Sequence, residues 1–291
     1  VEILVKQNKR KLLFRASSCG ALMTDGRGKV VTPNQYAEYE RLFKMRDDFN
    51  NAVAKSKALT PNQEKTLNEL IAKVNAPFEL SDTAKAMIRE MWLYREKGIK
   101  SMAKSKYLEK GQYNEEAAIS LLCDVDGVYY RKNTERKNNG VLTGEADILH
   151  KIRRRKIVYD TKCSWDANTF MAAGEDKYYE WQGRVYMELY GCDEFHIKYV
   201  LLDCPPHIFE SERRKLAYAH GIIDDTLEEH QELFNQLHTN LIYSTNPAFT
   251  KEERVKTIVY HRDDTKIEEL YDRIPYALKY YDTITLNGKA A

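Results

Sequence analysis

Apolar positions along the chain fall first into helical stripes and later into short alternating runs. From 32 to about 110 the spacing is helical. Thr32-Pro33 and Thr60-Pro61 each set a capping residue before a proline at the first helical position. Tyr39, Leu42, Phe43, Met45 and Phe49 form a stripe after the first start, and Leu67, Leu70, Ile71 and Val74 after the second. Ser81 caps a third helix that carries Ile88, Met91, Trp92 and Tyr94. The tetrapeptide Thr-Pro-Asn-Gln opens both of the first two helices, but the residues after it differ, so it is shared start chemistry and not an internal repeat. Ahead of this region, 1–14 reads as a short strand or extended lead-in and 17–22 as a short capped helix.

The texture changes after Gly111. The pattern predicts a short helix over 113–122, a strand over 125–131 and a polar loop over 132–139. Strands follow over 144–152 and 157–162, joined by the basic turn Arg153-Arg154-Arg155-Lys156 as a hairpin. An aromatic-rich helix covers 178–190, and a strand over 195–202 stops at Pro205-Pro206. A polar helical region occupies 209–241, with a strand over 255–261 and a helix over 267–281 behind it. Strands flanked by helices make an α/β fold, with strands near 125, 144, 157 and 195 in a mixed central sheet. The expected organisation is one domain over 1–291, with a helical elaboration at about 32–110, a core at about 111–206, and C-terminal helices and a strand over 207–291.

Composition narrows the class. Hydrophobic residues are 43% and charged residues 31% of the 291, which is globular and not disordered. The formal net charge of +2, from 46 basic and 44 acidic residues, neither demands nor excludes a polyanionic partner. The five cysteines contain no C-x-x-C pair, so zinc ribbons and iron–sulfur sites are disfavoured and reduced thiols expected. With no signal-type opening and no apolar run long enough for a bilayer, the expectation is a cytoplasmic protein that does not enter membranes.

The chemistry concentrates in Gly144-Glu145-Ala146-Asp147, the hairpin, and then Asp160-Thr161-Lys162. Strand residues two apart share a face, so Asp160 and Lys162 point together, and Asp147 can be brought alongside from the partner strand. Two converging carboxylates repel unless a cation lies between them. Oxygen ligands favour magnesium or manganese, and Lys162 adds a charge that could orient water or stabilise a phosphate. An acid-x-Lys triplet alone is an ordinary surface pair; Glu175-Asp176-Lys177 and Asp264-Thr265-Lys266 repeat it without a preceding Gly-x-x-Asp strand. Glu145 would share the face of Asp147 on a regular strand and competes as a ligand unless a bulge turns it away. Upstream, Glu115 and Glu116 open a helix, where acids also simply favour the helix dipole. Downstream, Gln182 and Tyr186 stack on one helical face, where they can hold a phosphate, orient the lysine, or merely pack.

A Gly–Glu helix, a Gly-x-x-Asp strand, an Asp-x-Lys strand and a Gln-x-x-x-Tyr helix, in that order, resemble the motifs of RecB-like PD-(D/E)XK nucleases. The likeness is nearest to phage-type exonucleases of the lambda exonuclease and YqaJ group, and 165–170 with 179–182 is similar to phage members. It covers about 111–206; Arg15-Ala16-Ser17-Ser18 resembles the group's opening only weakly, and 32–110 matches nothing. The resemblance implies a restriction-endonuclease-like core and metal-dependent hydrolysis of DNA phosphodiesters. By it, Glu115, Asp147 and Asp160 hold Mg2+ or Mn2+, the Thr161 carbonyl completes the coordination, Lys162 is the catalytic lysine, and Gln182 and Tyr186 attend the scissile phosphate. The core acids lack the preceding histidine of many relatives, and the cysteines lack the four-thiolate pattern of the iron–sulfur members, so no iron–sulfur cluster is expected.

The implied partner is DNA, as linear duplex ends or single strands, with a single-strand annealing or replication protein and a homo-oligomer as further expectations. Arg153–Lys156, or Lys132, Arg136 and Lys137, are candidate phosphate contacts. Lys9, Arg10, Lys11 and Arg15 with Ser17 and Ser18 are candidates for a DNA end, and the 20 tyrosines for base stacking. The rival readings are a structure-specific endonuclease and a non-catalytic DNA-binding relative.

Overall fold

The chain opens on a helix, α1 (Glu2–Gln7), and not on the expected strand. The alternation of Val1, Ile3 and Val5 imitates a half-buried strand, yet Ile3 is 71% and Val5 42% exposed. Buried Asn8 ends the helix by accepting from Leu12 N at 2.8 Å and donating to Leu12 O at 2.7 Å, which folds the chain back. A two-residue strand, β1 (Phe14–Arg15), and helix α2 (Ala16–Leu22) follow. Our computed structural model describes residues 1–26, 31–100, 105–224 and 227–286.

Two compact units are present. One contains Val1–Gly20 and Ile99–Asp272, the other Ala21–Gly98 and the chain from Arg273 onward. The second unit carries the predicted helices α3 (Pro33–Asn50), α4 (Pro61–Val74) and α5 (Asp82–Lys97). Thr32 and Thr60 both form capping boxes, with Gln35 and Gln63 returning the bond. Ser81 accepts from Ala84 N at 3.0 Å, and Gly98, at φ 67°, ends α5 in the left-handed conformation that glycine tolerates. Leu42, Leu67, Leu70 and Ile88 are buried as their spacing requires.

The first unit holds both sheets. Helices α6 (Lys106–Tyr113) and α7 (Glu115–Asp126) meet at Asn114. Strands β2 (Lys137–Asn138), β3 (Leu142–Gly144), β4 (Ile148–Ile152) and β5 (Arg155–Cys163) come next. Helices α8 (Ala167–Ala172) and α9 (Lys177–Tyr190), strand β6 (Glu194–Val200), helices α10 (Pro206–Ala219) and α11 (Glu228–Leu241), and strand β7 (Val255–His261) complete the set, before α12 (Asp264–Asp282). A small sheet runs β1-β3-β2, and the main sheet runs β4-β5-β6-β7. In the main sheet β5 pairs β4 and β6 pairs β7 antiparallel, while β5 and β6 are parallel. Mixed sheets flanked by helices, with the helical elaboration ahead of them, are the architecture the sequence implied.

Three expectations fail in detail. The segment 125–131 is no strand: α7 runs to Asp126 and stops at left-handed Gly127. The predicted strand 144–152 is broken at 145–147, so Gly144 belongs to the small sheet and Ile148 to the main one. The fourth strand of the main sheet is therefore Val255–His261, which completes it from far along the chain.

One face of the main sheet takes α7, whose Ala118, Ile119, Leu121 and Leu122 pack with Ile148, Ile157, Tyr159 and Val200. Strand alternation puts Val158, Asp160 and Lys162 on the other face, against α9. Gly183 permits that close approach, because a Cβ there would lie 1.9 Å from Phe195 Cδ1 on β6. Gly183→Ala should thus force α9 off the sheet, at a cost of about 1–3 kcal/mol. A lower urea unfolding midpoint is the expected result.

Candidate active site

Asp160, Lys162, Gln182 and Tyr186 come together where α9 covers β5. Asp160 is buried at 3% exposure, and Gln182 at 6%. Lys162 Nζ lies 2.5 Å from Asp160 Oδ2 as an ion pair. The Gln182 amide spans the two: its Nε2 donates to Asp160 Oδ1 at 3.2 Å, and its Oε1 accepts from Lys162 at 3.3 Å. The same Nε2 reaches Tyr186 Oη at 2.8 Å, and that hydroxyl donates to the Glu145 carbonyl at 3.0 Å. A turn of helix thus converts the Gln-x-x-x-Tyr spacing into one hydrogen-bonded path from Lys162 to the link between β3 and β4.

Gly144 makes room for this path. A Cβ there would meet Tyr186 Cε1 at 2.8 Å and Ala16 Cβ at 3.0 Å. The break after Gly144 also sends Glu145 and Asp147 to different partners. Glu145 turns to Arg136, 3.1 Å away, while Asp147 Oδ2 accepts from Thr161 N at 2.6 Å and Thr161 Oγ1 at 2.7 Å. Thr161 therefore meets Asp147 through donor groups.

The electrostatics follow from burial of like charges. Desolvation, then the charge of Asp160, pushes the Asp147 carboxyl up to about 7, against the pull of Thr161 and Lys162. Burial pulls Lys162 down, but the charge and contact of Asp160 outweigh it and leave the ammonium above its usual range. Lys162 accordingly keeps its positive charge at neutral pH. Burial and then Asp160 also raise the Tyr186 phenol, so it stays neutral and able to donate.

Glu115 belongs to a helix and not to the sheet. It opens α7, and its carboxylate pairs with Lys132 at 3.2 Å. Among the described residues no group of three or more His, Cys, Asp or Glu side chains closes into a metal cage. Even so, the donor chemistry fits a hard divalent ion. Asp147 is driven to hold a proton beside a second, buried carboxylate, and both acids offer hard oxygen donors next to the Lys162 ammonium.

Sequence reasoning missed Tyr179, whose ring lies 4.7 Å under the Lys162 ammonium and is itself braced by Tyr199. Its place three residues before Gln182, on the same helical face, was the available signal. Of the proposed DNA contacts, Arg155 pairs with Glu194 and Lys137 with Glu135. No helix of the described residues is long and apolar enough to cross a membrane.

No family model matches the chain, and no curated protein matches its sequence. Among solved structures it is similar to a phage-related exonuclease from Haemophilus somnus 129PT, at 24% identity over 93% of each chain with a TM-score of 0.57. An alkaline exonuclease from Laribacter hongkongensis superposes more loosely, at 10% identity and a TM-score of 0.46 over 72% of this chain and 84% of that one. The first match shows that the chain has a phage-type exonuclease fold.

The raised Asp147 carboxyl sets a pH dependence for the metal-free protein. A carboxyl whose folded pKa exceeds its unfolded value favours the fold fully below the unfolded value, and that contribution is lost as pH rises through the folded one. The window is from 3.8 to about 7. Asp147→Asn should flatten the fall in Tm across that window, as read by calorimetric scans at stepped pH without divalent ions.

Proposed function

We propose that this chain is a Mg2+- or Mn2+-dependent deoxyribonuclease, acting as an exonuclease in phage-type recombination or DNA processing. The observation that carries the reading is the Gln182 amide joined to both Asp160 and Lys162 on the buried sheet face. A packing helix has no need to tie a carboxylate and an ammonium together there, whereas a phosphodiesterase does. The fold shared with the phage-related exonuclease supports the same reading.

In this reading Asp147 and Asp160 hold the ion, with Glu115 and the Thr161 carbonyl as further oxygen donors. A divalent cation supplies charge neutralisation at the phosphate and a more acidic water. Lys162, held by Asp160, Gln182 and the Tyr179 ring, places a positive charge beside a non-bridging phosphate oxygen. Gln182 gives that ammonium a second acceptor besides Asp160. Tyr186 braces Gln182 through its bonds to Nε2 and to the Glu145 carbonyl. The partner is DNA. An annealing or replication protein, and a homo-oligomer, belong to the same proposal through the resemblance alone.

Purified protein with Mg2+ should release nucleotides from linear duplex DNA and leave covalently closed circles intact. Nicking of circles at a comparable rate would replace the exonuclease by an endonuclease, and no cleavage of any DNA would remove the enzyme. Lys162→Met should lower kcat by about 100- to 1,000-fold, the usual loss of one transition-state charge partner. Tyr186→Phe should cost less, since Gln182 keeps its bonds to Asp160 and Lys162; about tenfold is expected in steady-state assays.

A further inference from the structure

Lys132 lies in a loop that the sequence offered only as a DNA contact, yet its backbone is fastened beside the acids. It bridges Ile148, the first residue of β4, and the next residue, Asn133, donates from its backbone N to Asp147 O at 2.7 Å. Asn133 Nδ2 adds a bond to Ala146 O at 2.9 Å. The loop is therefore stitched along the break that carries Asp147. From there the Lys132 ammonium reaches across to Glu115 Oε1 at 3.2 Å, on the first turn of α7. One lysine thus joins the helix acid to the segment of the strand acid.

We propose that Lys132 is a built-in counter-ion of this acid group, and that a divalent cation taking Glu115 and Asp147 has to displace its ammonium. The proposal rests on the nuclease reading above and names a residue that tunes metal loading at that site. Three features support it. Glu115 Oε1 is engaged by Lys132, so a metal has to compete with the ammonium for that carboxylate. The Lys132 and Glu115 side chains are 40% and 35% exposed, and a pair so exposed is held weakly enough to open without unfolding. The lysine stem is flexible and its head strongly hydrated, so the ammonium can swing into solvent or onto a phosphate while its backbone stays bridged. Without metal, the ammonium relieves the repulsion between Glu115 and its acidic neighbours. With metal bound, the freed ammonium becomes one more phosphate contact.

The test is Mn2+ binding to the full chain without DNA, by isothermal titration calorimetry. Lys132→Met and Lys132→Gln should each bind Mn2+ about three- to tenfold more tightly, because the metal no longer has to displace an ammonium from Glu115. Glu115→Gln should weaken Mn2+ binding, and adding Lys132→Met to it should recover less than about twofold, since the two residues act as a pair. A Kd for Lys132→Met within about twofold of the parent overturns the proposal. So does an equal gain in the Glu115→Gln background, which would be a general field effect. Failure of the underlying reading looks different: Mn2+ then fails to bind the parent, or binds Asp147→Ala and Asp160→Ala as well as the parent. Binding that requires both aspartates and ignores Lys132 removes this proposal alone.

Discussion

Burying a carboxylate costs free energy unless its charge is answered, and Asp160 is buried on a sheet face under a helix. Everything near it can be understood as the answer. Lys162 supplies the opposite charge from two residues along the same strand, and Gln182 supplies an amide from the covering helix. That amide is fixed in turn by Tyr186, whose hydroxyl ends on the Glu145 carbonyl. Because the path needs α9 seated closely on β6, a glycine at 183 and another at 144 are structural requirements of the polar site and not incidental gaps.

The answer is incomplete, and the incompleteness points to chemistry. Asp147 is left in the field of Asp160 with a tendency to hold its proton, even though Thr161 donates to it twice. A purely structural pair would be expected to satisfy both groups. In the reading we propose, two neighbouring carboxylates beside a protonated lysine suit a cation and a phosphate together.

Much of this could be read in the chain, for definite reasons. Asp160, Lys162, Gln182 and Tyr186 were legible because strand period two and helix period four are rigid, and each pair lies within one element. Thr32, Thr60 and Ser81 announced their helices through cap chemistry that depends on neighbours only. The errors arose where tertiary contacts decide. Val1, Ile3 and Val5 alternate like a strand, yet Asn8 closes a short exposed helix behind them. The run from Val125 to Arg131 looked extended, but α7 takes its first two residues, Gly127 ends the helix, and Val128–Tyr130 form no strand. Position 145–147 looked like uninterrupted strand, and only the hand-over between two sheets reveals the break that separates Glu145 from Asp147. Tyr179 carried a usable signal, its helical phase with Gln182, but a tyrosine in a chain with 20 of them does not stand out until the Lys162 ammonium is seen above its ring.

The central claim is that Asp147 and Asp160 together grip a divalent cation next to Lys162. Anomalous diffraction from crystals soaked in Mn2+ measures this directly. The account predicts one dominant anomalous peak within coordination distance of both carboxylates, about 2.0–2.4 Å from their oxygens. A peak elsewhere on the chain with none at these aspartates, or soaked crystals in which Lys162 alone still occupies Asp160, would contradict it.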